Sequence, residues 1–218
     1  MNKMNLKNYW ISKLIVILGI FFLNSANADI KIKASQQVSN FLNQIKNLAS
    51  ESDQLKKEKK SDKLLKLIDI EFMSKVTIGK QWKTVSDDEK NIFKKKLFGK
   101  FIQFIDLHLE DFKEINFKEK SIKLRGQKLV YVTGSIDTKK IKNLDITWKL
   151  SSKENKILDV EIEKISLIKT QKLEMKALLK KNKNNFSQFL KENFLTNLLI
   201  LLIYISKILK KLNLMKNQ

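Results

Sequence analysis

The spacing of apolar residues changes from a helical to a two-residue period partway along the chain, and that change fixes the fold class. From Leu129 to Ile136, Leu144 to Leu150 and Ile157 to Ile165, side chains alternate between two faces, which is the signature of half-buried β-strands. Turn signals at Arg125-Gly126-Gln127 and around Lys139 to Asn143 separate them. Connections this short cannot make crossovers, so the strands form an antiparallel meander. A strand from about Ile115 to Leu124 completes a sheet of four. In the last strand Leu158, Val160 and Ile162 share one face while Asp159, Glu161 and Glu163 share the other, which predicts one dry face and one solvated face.

Helical spacing flanks this block on both sides. Ala34, Val38, Phe41, Leu42, Ile45 and Leu48 mark an amphipathic helix. Ser50 to Lys60 is charged and reads as exposed, and a second apolar set runs from Leu64 to Ile78 through one or two short helices. Gly79 suits a helix C-terminus and Trp82 a structural pin beside it. Ser86 followed by Asp87, Asp88 and Glu89 reads as an N-cap with an acidic first turn. It opens the longest helix, to about Asp111, whose stripe is Phe93, Leu97, Phe101, Phe104, Ile105 and His108. This helix is more apolar than a surface helix needs, and both central burial and a cavity wall account for that. The chain turns helical again from Leu167 onward. Helices covering the dry face of a four-stranded antiparallel sheet give an α+β domain with its core, or a cavity, between the layers.

The two ends carry a different kind of information. Lys3, Lys7 and Lys13 precede an apolar run from Leu14 to Leu23, and Ala26-Asn27-Ala28 stands before Asp29. This is the layout of a secretory signal peptide cleaved after Ala28, and the run is well short of the roughly 20 residues that span a membrane. The expected division is a signal peptide at 1–28, one domain at 29–193 and an apolar, lysine-flanked tail at 194–218, in a protein of the periplasm. The tail, from Phe194 to Leu209, fits a short tilted span, an interfacial helix or a helix folded back on the domain, and it offers a means of membrane association.

The net charge of +21 ordinarily points to nucleic acid or anionic membrane. Arg125 is the sole arginine among 44 basic residues, proline is absent and Asn and Ile abound, a pattern that an AT-rich genome writes. Readers of nucleic acid favour arginine for bidentate contacts, so no nucleic-acid partner is expected. Absent cysteine excludes disulfides, thiolate metal sites and thiol nucleophiles. His108 is the single histidine and lies on an apolar stripe, where a hydrogen-bonded core residue fits better than a base. Phosphate loops and nucleophile elbows are missing, Ser166 has no visible base, and the Asp159, Glu161, Glu163 row reads as a solvated strand face. No catalytic residue, metal site or cofactor is expected, and an apolar ligand in an apolar cavity is the natural alternative to enzymatic chemistry.

Two stretches carry a family resemblance. Phe72-Met73, Ile78-Gly79, Trp82, Ser86 and Phe93 after Asp69, and Asp159-Val160-Glu161-Ile162-Glu163 followed by Ile165-Ser166-Leu167, resemble the MlaC family, the periplasmic phospholipid-binding component of a lipid ABC transport system. Lys164 stands where that family has glycine, and Thr170-Gln171-Lys172 replaces its Asn-Tyr-Arg. The resemblance implies a four-stranded antiparallel sheet wrapped by helices, with phospholipid tails between the layers and the headgroup outside. It also implies an inner-membrane ABC transporter complex and an outer-membrane lipoprotein complex as partners, with transient membrane contact and no cofactor. On the pattern of apolar faces, the pocket candidates are Phe93, Leu97, Phe101 and Ile105 on the helix, with Val132, Ile146, Trp148, Val160 and Ile162 on the sheet. Each of these positions fits plain core equally well. The rival reading is a membrane-associated envelope interaction protein, held at the inner membrane by the Phe194 to Leu209 segment, that carries no lipid.

Overall fold

The computed structural model describes residues 6–139 and 141–191. The apolar tail from Phe194 to Leu209 lies outside the described residues. Helix α1 (Leu6–Ala49) leads into α2 (Gln54–Leu65), α3 (Ile70–Ile78), a 3-10 turn (Gly79–Lys83), α4 (Asp87–Leu107) and α5 (Leu109–Lys113). Strands β1 (Asn116–Arg125), β2 (Leu129–Asp137), β3 (Leu144–Ser151), β4 (Ile157–Ile162) and β5 (Ile165–Ser166) follow, then α6 (Leu167–Lys181) and α7 (Phe186–Lys191). The proposed cleavage junction, Ala28–Asp29, falls at an exposed place within α1. Among the described residues no helix is long and apolar enough to cross a membrane.

Local chemistry explains most element boundaries. Ser86 and Glu89 form a reciprocal capping box that opens α4, with Glu89 N–H donating to Ser86 Oγ at 3.2 Å and Ser86 N–H to Glu89 Oε2 at 2.9 Å. Gly79 closes α3 with φ of 62°, a conformation glycine adopts without steric cost. The charged stretch from Ser50 to Lys60 holds most of α2, which starts where Asp53 accepts the Lys56 N–H at 3.1 Å, and one helix expectation needs correction. The long helix breaks at His108 rather than running to Asp111, and the turn brings Phe112 edge-on against Phe104 with ring centroids 5.6 Å apart. His108 is consequently not a core residue: its side chain is 36% exposed at the break, 3.6 Å from Asp111 and beside Phe104.

The sheet is an antiparallel meander in the order β1-β2-β3-β4-β5. It has five strands rather than four, because the stretch read as one strand through Ile165 turns at Glu163 and Lys164, where φ is 50° and 66°, and returns as β5. Two successive left-handed residues make the tight hairpin turn that suits twisted strands, and Lys164 occupies it without the glycine that avoids the strain. At the start of β4, Ile157 pairs with the segment after α2: Asp69 N–H donates to Ile157 O at 2.9 Å and Ile157 N–H to Leu67 O at 3.0 Å. That pairing covers an otherwise open strand edge.

A ladder of Ile122, Val132, Trp148 and Val160 crosses the dry face. Helix α1 lies on it through Val38, Phe41, Leu42 and Ile45, with Phe41 meeting Trp148 edge-on at 5.4 Å. A second, helix-only core joins Ile78, Trp82, Phe93, Met175, Phe186 and Phe189. One close approach sets the β1–β2 spacing. A Cβ on Gly134 would stand 2.3 Å from the Lys118 carbonyl oxygen and 2.4 Å from the Phe117 ring. Gly134→Ala is expected to lose about 3 kcal/mol, the upper end of overpacking costs, when unfolding is followed in urea. Gly99→Ala, where an added Cβ meets nothing within 4 Å, gains up to about 1 kcal/mol from helix propensity.

Candidate functional site

Where α3, α4 and α6 converge on β4 they leave a pocket of about 140 Å³. Its helical walls are Ile70, Met73 and Thr77 from α3, Leu97, Lys100, Phe101 and Phe104 from α4, and Leu167, Ile168 and Gln171 from α6. Ile157, Val160 and Ile162 of β4 close the sheet side, with Phe41 of α1 and Ile68 at the end. A bulge in β4 produces that wall. The β3–β4 register pairs Lys149 with Asp159 but Leu150 with Ile157, so the strand carries one extra residue and its alternation slips. Ile157 thereby joins Val160 and Ile162 on the covered face, and Leu158 leaves it.

Of the nine pocket candidates read from the sequence, Leu97, Phe101, Val160 and Ile162 line this pocket. Ile105, Val132, Ile146 and Trp148 sit in the main core beside it, and Phe93 is fully buried in the second, helix-only core. Ile70, Met73 and Leu167 are wall residues that are not among the pocket candidates read from the sequence. Ile70 and Met73 stand on a helix of 9 residues, with few turns to show which face is covered, and Leu167 is the first residue of α6, before any period is established.

The acidic row on β4 also behaves differently from expectation. Asp159 is 5% exposed rather than solvated, because α6 and the β5 hairpin fold back over it. Its Oδ2 accepts from Ser166 Oγ at 2.7 Å and from Lys149 Nζ at 3.1 Å. Its Oδ1 accepts the Val160 N–H at 2.9 Å and the Ile168 N–H at 3.2 Å. Ser166 is in turn the N-cap of α6, its Oγ accepting the Lys169 N–H at 3.1 Å. Lys149 bridges Asp159 and Glu161. Burial alone would lower the Lys149 pKa, but hydrogen bonds to Glu161 and Asp159 outweigh it and raise it above the ordinary lysine value. The Ser166 hydroxyl is committed to the Asp159 carboxylate and to a helix cap, which is the arrangement of a structural clasp rather than of an activated nucleophile.

One cation faces the apolar walls. Lys100 is 4% exposed, and burial pushes its ammonium down to about 8, against the upward pull of Glu174. Burial in turn raises the Glu174 carboxyl. Among the described residues no group of three or more His, Asp or Glu side chains is placed to hold a metal ion. The pocket therefore offers contact area and shape, with Thr77, Lys100, Asp159 and Gln171 as the polar members of its lining.

No curated protein sequence matches the chain. Among solved structures, the fold is similar to that of a phospholipid-binding protein from Ralstonia solanacearum, solved in complex with a phospholipid. The TM-score is 0.62 at 16% identity, over 74% of this chain and 94% of that one, so the likeness is one of fold. The family model described as MlaC protein matches residues 33–192, a span that takes in α1 from Lys33 onward, the whole sheet, the pocket and the clasp beneath it. By that match the chain belongs to the MlaC family.

Proposed function

We propose that this protein is a phospholipid-binding carrier of the bacterial envelope rather than an enzyme. In this reading it is exported by the segment at 1–28 and exchanges phospholipid between the outer and inner membranes as the soluble part of an ABC-type transport system. An inner-membrane transporter complex and an outer-membrane lipoprotein complex are its docking partners. The observation that carries the reading is the apolar pocket between the helix layer and β4, in a chain of the MlaC family. An exposed acyl tail costs about 0.8 kcal/mol per methylene in water, so a walled apolar site lowers the barrier to crossing an aqueous gap. At about 140 Å³ the pocket is smaller than the roughly 300 Å³ at which ligand pockets begin. Acyl tails therefore enter by moving α3, α4 or α6 away from the sheet.

Native mass spectrometry of the protein purified without detergent, followed by organic extraction, tests this. The expected result is phospholipid in stoichiometric amount. Protein that is empty and takes up no lipid from phospholipid vesicles would sink the carrier reading and leave the envelope protein that works through partners alone.

A further inference from the structure

A second depression, of about 640 Å³, lies between the 3-10 turn and α6. Lys80 stands on the turn side and Lys169, Lys172 and Lys176 on the helix side, with Leu173 among them, and the lining holds no Asp or Glu. Positions 169, 172, 173 and 176 follow helical spacing, so one face of α6 presents all four side chains. The lysines are exposed and Leu173 is 70% exposed. Lys172 Cε lies 3.8 Å from where a Cβ on Gly79 would stand, which joins the turn and α6 into one surface.

Charge on this surface is arranged differently from charge on the other helices. On α2 and α4, Lys57 is paired with Asp106, Lys60 with Glu51, Lys90 with Asp87 and Lys94 with Glu71. Among the described residues none of Lys80, Lys169, Lys172 and Lys176 makes an ion pair. Glu174, the one acid of α6, is half-buried and acts on Lys100 instead. The surface also adjoins the apolar pocket, because Thr77 of α3 lines both.

Building on the reading of the protein as a lipid carrier, we propose that this face docks on a membrane surface that carries anionic phospholipid. The four ammonium groups lie against the headgroups, each adding attraction that salt screens. Leu173 enters the boundary of the acyl region between them, as the apolar residues of an interfacial helix do. Docking this way brings the wall shared at Thr77 toward the bilayer, so the lipid site meets the membrane from which it loads.

Co-flotation of the full-length protein with vesicles of phosphatidylcholine, alone or mixed with phosphatidylglycerol, tests this. Wild-type protein is expected to prefer the anionic vesicles by about tenfold or more. Changing Lys80, Lys169, Lys172 and Lys176 together to Gln should remove most of that preference. The same change at Lys59, Lys63, Lys128 and Lys153, which are exposed on α2 and in the sheet turns, alters net charge equally and should keep the preference within about twofold. Leu173→Ser should weaken anionic binding about threefold or more with no change in charge. The apolar tail is common to every variant and cancels in the comparison. Equal losses from the two lysine sets would reduce the effect to net charge and overturn the assignment. Wild-type protein with no preference for anionic vesicles would overturn it too, and would turn the basic face toward an acidic protein partner. Native mass spectra of the same wild-type sample keep this apart from the carrier reading. Protein loaded with phospholipid but indifferent to anionic vesicles sinks the docking face alone, whereas empty protein that floats through these lysines supports the face and sinks the carrier.

Discussion

Asp159→Ala lowers the unfolding free energy by about 3–5 kcal/mol, the range for breaking a buried ion pair by removing one partner. The size of the effect comes from what one carboxylate satisfies. Lys149, whose side chain is 14% exposed, loses one of its two acidic partners, the Ile168 N–H in the first turn of α6 loses its acceptor, and the Ser166 hydroxyl that caps α6 loses its anchor. Buried donors left in this way each cost about 1–3 kcal/mol. Asp159→Asn keeps the shape and an acceptor oxygen but loses the charge, so its cost is smaller. Ser166→Ala, which removes a helix cap and one hydrogen bond, costs about 1–2 kcal/mol. Because Asp159 and Ser166 share one bond, the double variant loses less than the sum of the single ones. Urea unfolding of the wild-type protein and the four variants checks all of this, and strict additivity would show that the clasp is not a unit.

That clasp shows where the sequence is legible and where it stops being so. Strand alternation places Leu129 to Ile136 and Leu144 to Leu150 correctly because a sheet with one dry face writes a period of two. The Ser86 N-cap and its acidic first turn through Glu89 are legible because a helix cap is a local device within four residues. The same alternation misplaces Asp159. A bulge at the start of β4 and a hairpin through Glu163 and Lys164 move the strand's faces, and α6 then buries what alternation alone assigns to water. Neither event has a local signal here, since non-glycine residues occupy the left-handed turn positions. The MlaC-like pattern of Asp159 through Leu167 does contain both halves of the clasp, Asp159 and Ser166.

The candidate pocket divides for the same reason. Period and hydrophobicity select residues that face inward, but they do not separate inward residues touching one another from those touching a void. Leu97 and Val160 stand beside a void, whereas Val132 and Ile146 on neighbouring strands belong to the main core on which α1 packs. The distinction depends on how far α3 and α6 stand from β4, a tertiary spacing that no single element encodes.

Filling that void is the second experiment with a large expected effect. Val160→Trp and Leu97→Trp introduce an indole from opposite walls into about 140 Å³, a space of the size that holds one benzene ring. Either substitution should abolish co-purifying lipid in native mass spectra. The cost in stability is about 1–3 kcal/mol for overpacking, small enough for thermal unfolding to verify a folded protein. Val132→Ala is the matched comparison, since Val132 is fully buried on the next strand but one and away from the pocket. It should lose about 2 kcal/mol of stability and keep its lipid. The reverse pattern, with lipid retained in Val160→Trp and lost in a folded Val132→Ala, would move the lipid out of this pocket. It would place the tails between α1 and the sheet, because that is where Val132 has its neighbours. The pair of substitutions thus separates two locations for the same cargo, with each variant serving as the folding control for the other.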